Sequence, residues 1–504
     1  MKKEGNLYWF LLTAGIILYL YSLWGRIPDV DGAWIGENAY WLAKLGYAKS
    51  ELMRGITSQE TLTIIHHKLF NLLGALFIKL FGFSTYTLKS ISLFFYIALI
   101  FLTYQYSVKS TSLLSKKEWI LFILLMSYFP WAFKFSFVYR PEIMLTTLGF
   151  AAFILLEKTI NDKNKRFAPA WFAGILIGLT IATHLNGLIF AASGLFLLIW
   201  NRQYKKLFPY SVGVLMTSSI YFYDYFQPGY FSLWYYQFFN SPTVMSAHEY
   251  PLLLEPLINL LNEHLRYFHD PEIIVFTLFM LFNLTISFRF LYHKHKILTQ
   301  FTILMFVFTA ILTINDTRKY ILMNLPFILL STVLAMKALR EGEFSQFYFN
   351  VKQKTVYRIS FSLMIIYLTV SLGYNIRYSV KKFSPNQNRE VSLRYAGTNT
   401  KEMNIVGPMT FIFNEIEQYN RVQGEDCYTE FLKADSTLTG LKFLEKAESF
   451  NNEMLIVTPY YQKLLAIDGY QKGKNYGNFT VVDKNDKFVV LKKTSLVFNQ
   501  GGLK

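Results

Sequence analysis

The sequence predicts a polytopic α-helical membrane protein that ends in a small extracytoplasmic α/β domain. Of the 504 residues, 53% are hydrophobic and only 16% are charged, whereas soluble domains carry about 25% charged residues. Several apolar runs reach about 17 to 20 residues, the length that crosses about 30 Å of hydrocarbon as a helix. After residue 376 the composition turns polar, and short strand-like runs replace the long apolar ones.

The first apolar run, at about 7–24, follows two lysines and precedes no small-residue cleavage site. We interpret it as a retained span and not as a removed signal peptide. About eleven transmembrane helices are predicted in total. Their approximate ranges are 7–24, 86–106, 118–137, 142–157, 169–183, 186–200, 208–224, 271–288, 297–314, 320–337 and 358–376.

The distribution of basic residues predicts a cytoplasmic N-terminus. Five connections on one side of the membrane together carry 18 Lys and Arg residues, whereas the short connections opposite carry only Arg140, Arg318 and Lys319. The net charge of +17 is therefore a topology signal, which makes the lipid bilayer, and not nucleic acid, the expected partner. The basic connections are 107–118, 157–168, 200–207, 289–296 and 337–358.

The first external loop, at about 25–85, contains a second apolar segment, HHKLFNLLGALFIKLFG, at 66–82. If this segment crossed the membrane, every basic connection after it would lie outside. We therefore predict a juxtamembrane helix that lies in the interface.

Residues 377–504 are predicted to form a soluble α/β domain, separate from a transmembrane domain at 1–376. The runs MNIVGPMTFIF, EMLIVTP, FTVVD and KFVVLK read as short strands, and LTGLKFLEKAES reads as a helix between them. Cys427 is the single cysteine of the chain. This excludes both an intramolecular disulfide and a metal site with several cysteines.

Polar residues of unusual chemistry gather on the predicted outer side. Ionisable groups at membrane depth are costly and usually face a wet cavity. A carboxylate there can take a proton from a hydroxyl, and Arg or Lys can neutralise a phosphate. The pattern therefore indicates a site for a phosphate-bearing lipid. The candidate residues are Asp31, Glu37, His66, His67, Lys68, Arg140, Glu142, Arg318, Lys319 and Tyr320.

Ordinary structural roles compete with these assignments. Asp31 could serve as a helix N-cap as well as a catalytic acid, and Asp29, directly after Pro28, reads as a turn residue. Arg318 and Lys319 could be helix-end residues that snorkel towards the interface. The two adjacent histidines lack the spacing of a zinc site, and no metal ligands are predicted.

Several motifs resemble the GT-C superfamily of membrane glycosyltransferases, over roughly residues 1–340. The branch most similar contains the protein O-mannosyltransferases and the lipid A aminoarabinose transferase. In DGAWIGENAYWLAKLG, Asp31 takes the acidic position that follows the first helix in this branch. HHKL (66–69) takes the position of an HPPL-type motif, and RPE (140–142) resembles the Arg and acid pair of the next external loop. RKYILMNLPFILL (318–330) resembles the family's RYLLPLLPFLALL segment.

The chain departs from the family pattern at three places. Gly32 stands where the branch often has a second acid, and we expect Glu37 to supply that function from the next helical turn. HHK replaces HPP and so loses a proline bend. In THLNGL (183–188), His184 stands where the family usually has a lysine.

The resemblance implies an inverting glycosyltransferase that uses a polyprenyl-phosphate sugar donor. Asp31 would be the general base on an acceptor hydroxyl at the outer face, with Glu37 as a second catalytic residue. His66, His67, Lys68, Arg140, Glu142, Arg318, Lys319 and Tyr320 would bind the donor and its phosphate. No cofactor is predicted, and a divalent metal is left open, because the oligosaccharyltransferase branch is expected to need one and the mannosyltransferase branch is not.

Two other functions stay open from the sequence, namely a flippase or transporter of lipid-linked sugars and a non-catalytic scaffold for envelope assembly. A transporter would place polar residues through the membrane midplane, whereas here they favour one end of the spans. The expected location is a bacterial inner membrane with the C-terminal domain extracytoplasmic. The sugar and the acceptor, whether lipid, glycan or protein, are not specified by the sequence.

Overall fold

The computed structural model describes residues 2–64, 66–162, 166–242, 245, 254–313, 317–343, 352–397 and 400–500. Helices dominate the chain up to residue 396, and a sheet follows. The helices of this first part are α1 Lys2–Leu23, α2 Val30–Leu45, α3 Lys68–Phe81, α4 Thr85–Tyr104, α5 Lys116–Tyr128, α6 Pro130–Phe135, α7 Glu142–Asn161, α8 Ala168–Thr183, α9 Gly187–Trp200, α10 Tyr204–Phe222, α11 Tyr230–Phe239, α12 Glu255–Tyr267, α13 Pro271–Lys294, α14 Lys296–Leu312, α15 Ile321–Glu341, α16 Gln353–Val380 and α17 Pro385–Ala396. A π-helical turn, Gln105–Ser110, extends α4, and a 3₁₀ turn, Tyr223–Phe226, extends α10. A second 3₁₀ turn, Arg318–Tyr320, precedes α15.

Six helical segments of the described chain are long and apolar enough to cross a membrane. Three further apolar helices, α8, α9 and α14, are shorter than these. Each predicted span overlaps a helix, except that the span at 118–137 is divided between α5 and α6, and the predicted number of about eleven crossings is not confirmed. The six segments are Gly5–Leu23, Thr85–Ser110, Glu142–Asn161, Pro271–Lys294, Arg318–Glu341 and Gln353–Val380.

The predicted span at 118–137 is interrupted. A capping box starts α5: the Ser115 hydroxyl accepts from the Glu118 N–H, and the Glu118 carboxylate accepts from the Ser115 N–H. The helix ends at Tyr128, and Pro130 starts the short α6. Proline lacks the N–H that would continue α5, whereas it suits the first turn of a new helix. The break moves Lys134 of α6 out of the apolar span.

Helix α15 is the central helix of the bundle, and its side chains are buried on almost every side. A helix that is apolar all round is stable only when other helices surround it. Its external end follows the turn that carries Arg318 and Lys319. The innermost helix therefore presents two cations at the outer surface of the bundle.

Helix α3 matches the predicted juxtamembrane helix. Its 14 residues span about 21 Å, too short to cross the hydrocarbon. Leu72, Leu76 and Leu80 are exposed along one side. On the opposite side Gly74 lies against Ala39 of α2 and the Tyr139 ring, so that α2 and α3 pack closely.

Glu37 of α2 holds the first external loop together from inside. Its buried carboxylate accepts hydrogen bonds from the Ser50 hydroxyl at 2.6 Å, the Glu51 N–H at 2.7 Å and the Trp41 indole N–H at 3.2 Å. The bonds fasten the 50–52 turn to α2. This placement does not support the predicted catalytic role of Glu37, because every one of these bonds lies within the loop.

A six-stranded sheet forms the C-terminal part, in the order β2-β1-β3-β6-β5-β4. Strands β1, β2 and β3 are parallel, and β3, β6, β5 and β4 are antiparallel. The four predicted strands are confirmed as β1, β3, β5 and β6, whereas the short β2 and β4 are additional. The elements are β1 Asn404–Gly407, α18 Ile412–Glu415, β2 Arg421–Gly424, α19 Cys427–Ala434, α20 Leu441–Ser449, β3 Met454–Val457, α21 Pro459–Leu464, β4 Asn475–Tyr476, β5 Phe479–Lys484, β6 Val489–Lys493 and α22 Thr494–Gln500.

The sheet region shares a hydrophobic core with the first external loop. Phe413 stacks on Phe83 with ring centroids 5.9 Å apart, and the Gly424 N–H donates to the Leu52 carbonyl at 3.0 Å. The sheet therefore packs directly on the loop. Helix α16 continues past residue 376 to Val380. The predicted domain boundary at residue 376 stays a prediction.

Gly74→Val should destabilise the protein, because an added Cβ would overlap the Tyr139 hydroxyl and lie 2.9 Å from the Ala39 Cβ. Overpacking of this kind costs about 1–3 kcal/mol. We expect a lower melting temperature of the detergent-solubilised protein. Gly373→Val is the matched control, because no other atom lies within 4 Å of a Cβ added there; equal melting temperatures for both variants would contradict the packing.

Glu37→Gln should change how stability depends on pH. Burial raises the pKa of the Glu37 carboxyl to about 7, from 4.5 when exposed, although the Ser50, Trp41 and Glu51 bonds lower it. Between these two values the folded chain binds more protons than the unfolded chain, so the free energy of unfolding falls as pH rises. Glutamine does not titrate, so Glu37→Gln does not lose this free energy of unfolding, which amounts to roughly 3 kcal/mol.

The measurement is the melting temperature from pH 5 to pH 8. Glu37→Gln should gain stability relative to the wild type as pH rises through this window. Glu445→Gln, at an exposed position, should follow the wild type. Parallel curves for Glu37→Gln and the wild type would exclude a titrating Glu37.

Candidate active site

Acidic and basic side chains meet in and around a cleft of about 350 Å³, at the helix ends that the sequence predicts to be external. We call them the outer charge cluster. It brings together residues from the first external loop, from α6, from the start of α7 and the turn before it, from the turn between α12 and α13, and from the turn before α15. The cluster consists of Asp29, Asp31, Lys134, Arg140, Glu142, Asp270, Arg318 and Lys319.

Arg140 is the centre of the cluster. Its guanidinium is buried and donates from Nη1 to Asp31 Oδ2 and to Asp29 Oδ1, the latter at 2.9 Å. Nη2 donates to Glu142 Oε1 at 2.8 Å. Burial of a charge is strongly unfavourable unless partners neutralise it and complete its hydrogen bonds. Three carboxylates satisfy this requirement for one guanidinium.

The two aspartates lie where the chain turns into α2. Asp29 occupies the N-cap position with an extended backbone, and Asp31 belongs to the first helical turn. Both carboxylates point to Arg140. Gly32 allows the approach, because an added Cβ would lie only 3.0 Å from the Tyr139 carbonyl oxygen. The residue that departs from the family's second acid thus brings α2 against the Arg140 segment.

Asp31 is the most accessible carboxylate of the cluster, with its side chain 53% exposed. Lys319 Nζ lies 3.4 Å from its Oδ2. Partial burial raises the pKa of the Asp31 carboxyl, but the charges of Arg140 and Lys319 outweigh this and hold the pKa well below its usual range. Asp31 is therefore an ionised acceptor of hydrogen bonds at neutral pH.

Three members of the cluster, Asp29, Lys134 and Asp270, are not among the predicted site residues. Lys134 Nζ lies 3.2 Å from Asp29 Oδ2, and both residues line the cleft. Lys134 was assigned to the interior of a span, and Asp29 to a turn. The signal that could have identified Lys134 is a lone lysine in an apolar run, a few residues after Pro130.

The opposite wall of the cleft is the turn before α15. Thr317, Arg318 and Lys319 line the cleft, and Arg318 Nη1 donates to Asp270 Oδ2 at 2.7 Å. Tyr320 turns towards His184, with ring centroids 6.2 Å apart. The structure thus brings the predicted Asp31, Arg140, Glu142, Arg318 and Lys319 together, with Tyr320 at the edge.

The predicted histidines are half-buried and uncharged at neutral pH. His67 packs on His184, with ring centroids 4.7 Å apart, and burial lowers its pKa well below the ordinary value. Burial, with the charge of Lys68, lowers the pKa of His66 to about 4. Neutral imidazoles cannot balance a phosphate charge, so any contact they make to a donor is a hydrogen bond.

Lys68 points away from the cleft. Its Nζ lies 2.8 Å from Asp224 Oδ2 and 4.7 to 5.5 Å from the ring centroids of Tyr221, Tyr223 and Tyr225. These contacts hold the start of α3 to the end of α10. The placement does not support the predicted donor contact of Lys68, and Glu37 likewise is not among the residues that line the cleft.

Within the described ranges, no group of three or more His, Cys, Asp or Glu side chains has the arrangement of a metal site. The acids of the cluster have Arg or Lys partners instead. The cleft therefore combines one accessible carboxylate with several cations, an arrangement that can accept a proton and bind an anion side by side.

The chain matches no protein-family model, and no curated protein sequence is significantly similar to it. Its backbone is similar to ArnT from Cupriavidus metallidurans, with a TM-score of 0.55 at 12% identity over 97% of this chain and 98% of that chain. For the same protein bound to undecaprenyl phosphate, the TM-score is 0.54 at 12% identity, over 96% and 98% of the chains.

The oligosaccharyltransferase of Archaeoglobus fulgidus gives a TM-score of 0.55 at 13% identity, over 91% of this chain and 71% of that chain. ArnT and this oligosaccharyltransferase are GT-C glycosyltransferases. Identities this low establish the fold and not the reaction. Together with the apolar helices, they show that the chain is an integral membrane protein with the GT-C fold.

Proposed function

We propose that this protein is a glycosyltransferase that moves a sugar from a polyprenyl-phosphate donor to an acceptor hydroxyl, with Asp31 as general base. The observation that carries the proposal is the accessible carboxylate of Asp31 between Arg140 and Lys319, at the external ends of apolar helices. This juxtaposition supplies the two groups that such a transfer needs, a proton acceptor and cations for the phosphate.

The cleft suits a lipid-linked phosphate. Arg318 and Lys319 are partly exposed, so a phosphate that enters from the membrane surface can reach them. Arg140 also lines the cleft but is buried. ArnT from Cupriavidus metallidurans was solved with undecaprenyl phosphate, and the archaeal oligosaccharyltransferase with a dolichol phosphate. A lipid carrier also suits an outer face that lacks nucleotide sugars.

The proposed transfer forms one bond and breaks one bond at the anomeric carbon. The acceptor O–H proton passes to an Asp31 carboxylate oxygen while the acceptor oxygen forms a bond to the anomeric carbon. The bond from that carbon to the phosphate oxygen breaks, and its electron pair leaves with the lipid phosphate. Lys319 and Arg318 stabilise the charge that develops on this leaving group. Attack from the face opposite the phosphate inverts the anomeric centre.

Donor binding would also increase the basicity of Asp31. In the structure Lys319 and Arg140 share their charge with this carboxylate, which makes it a weak base. A phosphate bound to the same cations adds negative charge beside Asp31, and a nearby like charge raises the pKa of a carboxyl. The base therefore becomes effective when the donor is in place.

The positions of the other predicted residues define smaller roles. We assign His67 and Tyr320 to the rim of the donor site, as neutral hydrogen-bonding groups, and leave His66, Lys68 and Glu37 outside it. The positive-inside pattern supports a cytoplasmic N-terminus, with the cleft and the sheet region on the periplasmic side of a bacterial inner membrane.

Asp31→Asn should abolish transfer of radiolabelled sugar from polyprenyl phosphate in membranes with matched expression, because asparagine cannot accept the proton. Loss of one general base costs about 10²- to 10⁴-fold in rate. Asp29→Asn is the matched control, since Asp29 pairs with the same Arg140 Nη1 and is not assigned the proton. Asp29→Asn should retain most of the activity.

An equal loss in both aspartate variants would reduce Asp31 to a structural partner of Arg140. Transfer that survives in Asp31→Asn would remove Asp31 from the mechanism. If the wild type transfers sugar from no lipid donor, the transporter and scaffold functions become the better explanations of the fold.

Lys319→Ala should weaken binding of undecaprenyl phosphate by roughly tenfold or more, because a charge-assisted contact to the phosphate is lost. The measurement is the Kd of the lipid for the detergent-solubilised protein. Lys44→Ala is the control, because Lys44 is an exposed lysine of the first external loop that does not line the cleft. Unchanged Kd in Lys319→Ala would place the phosphate elsewhere.

A further inference from the structure

Helix α12, Glu255–Tyr267, has its polar and apolar faces reversed relative to a water-exposed helix. Asn259 and Arg266 point into the protein, where Asn259 Nδ2 donates to the Thr313 carbonyl at 3.3 Å and Arg266 is 1% exposed. A row of apolar side chains points outwards instead, each between 42% and 68% exposed. We call this row the leucine stripe: Leu254, Leu257, Leu261, Leu265 and Phe268.

The reversal indicates that the outward face of α12 contacts an apolar medium instead of water. A surface helix in water turns its apolar stripe to the core and its polar side outwards. Large exposed apolar patches mark contacts with protein or membrane. The two helices that pack against α12 also expose apolar side chains, Leu312 of α14 and Leu278 of α13. The lipid-facing surface of the bundle thus extends onto α12.

The length and position of α12 place it in the interface and not across the membrane. Its 13 residues span about 20 Å, which is shorter than the hydrocarbon. Three residues separate the end of the helix at Tyr267 from Pro271, where the apolar α13 begins. In-plane helices bury such an apolar face at the boundary of headgroups and acyl chains.

The inner face of α12 holds the segment that carries the phosphate cations. Arg266 Nη1 donates to the Thr317 carbonyl at 2.5 Å, and Nη2 donates to the Thr313 hydroxyl at 2.6 Å. Thr317 directly precedes Arg318 and lines the cleft. Asp270, just after the helix, accepts from Arg318 Nη1 at 2.7 Å. One wall of the cleft is therefore attached to α12 at two points.

We propose that α12 binds the lipid surface of the outer leaflet through its leucine stripe, and that Arg266 positions the Arg318 and Lys319 cations from this membrane-seated helix. The lipid contact stands independently, whereas the consequence for donor binding rests on the proposed function. With its leucine stripe buried in the bilayer, α12 holds the Arg318 and Lys319 cations at a fixed distance from the hydrocarbon. A phosphate whose lipid tail lies in the membrane meets them at that distance.

The lipid contact is tested by fluorescence in the full-length protein. A bimane label on Leu261→Cys is compared with one on Leu441→Cys, an exposed leucine of the sheet region. The native Cys427 is buried, and the unsubstituted protein provides the blank. In phosphatidylcholine liposomes with brominated lipid, we expect a blue shift and a loss of emission at position 261, with emission at position 441 quenched by aqueous iodide.

Two outcomes would overturn the lipid contact. Equal quenching of both labels by iodide would place the leucine stripe in water. Protection of the Leu261→Cys label from iodide, without quenching by brominated lipid, would mean that protein covers the stripe. Neither result depends on sugar transfer, so a failure of the proposed function is recognised separately.

The positioning role of Arg266 is tested by steady-state kinetics with a polyprenyl-phosphate sugar. Arg266→Gln should raise KM for the donor by about tenfold while kcat per folded protein changes little, and Arg266→Lys should recover part of the loss. Leu261→Asp, which charges the leucine stripe without a buried change, should raise KM in the same direction, whereas Leu441→Asp should not.

A merely structural Arg266 would reduce the amount of folded protein and leave KM unchanged, which would overturn the positioning role. An unchanged KM in Leu261→Asp would separate the cations from the seating of the helix and overturn the link between them. Wild-type protein without transfer, combined with quenching at position 261, would overturn the proposed function and retain the lipid contact.

Discussion

The burial of the Arg140 guanidinium is the constraint on which the outer half of the structure depends. A guanidinium without water must find carboxylates, and here they come from the start of α2 and from the start of α7. The charge therefore fixes two helix ends against each other. Asp31 receives its position from this requirement, with one side of its carboxylate on Arg140 and the other open to the cleft.

The first external loop provides the rigid support for that arrangement. Glu37 fastens the 50–52 turn to α2 from within, Gly74 lets α3 pack against α2, and the sheet region packs on the other side through Phe413. A carboxylate presented at the first turn of α2 is held by contacts on both flanks of the helix. Preorganisation of this kind is what a proton transfer at a membrane surface needs.

The outer charge cluster is balanced within itself, since its acids have Arg or Lys partners. Because these charges neutralise one another, the cluster does not need a ligand to be stable. The cations are supported from two sides. Arg140 lies in the protein interior, whereas Arg318 pairs with Asp270, which follows α12.

The sequence by itself determined the helices, the interfacial α3 and the gathering of Asp31, Arg140 and the 318–320 turn on one side, because apolar length and basic loops fix which chain ends meet. Four of the strands followed from short apolar runs in the sequence. Only the tertiary structure decided how each charge is used. Asp29 and Lys134 are partners of the cluster, and Glu37 and Lys68 are not, because these roles depend on contacts between residues distant in sequence. The periodicity of a sequence indicates on which face of a helix or strand a residue lies and whether that face is buried. Which residue it contacts depends on the tertiary packing.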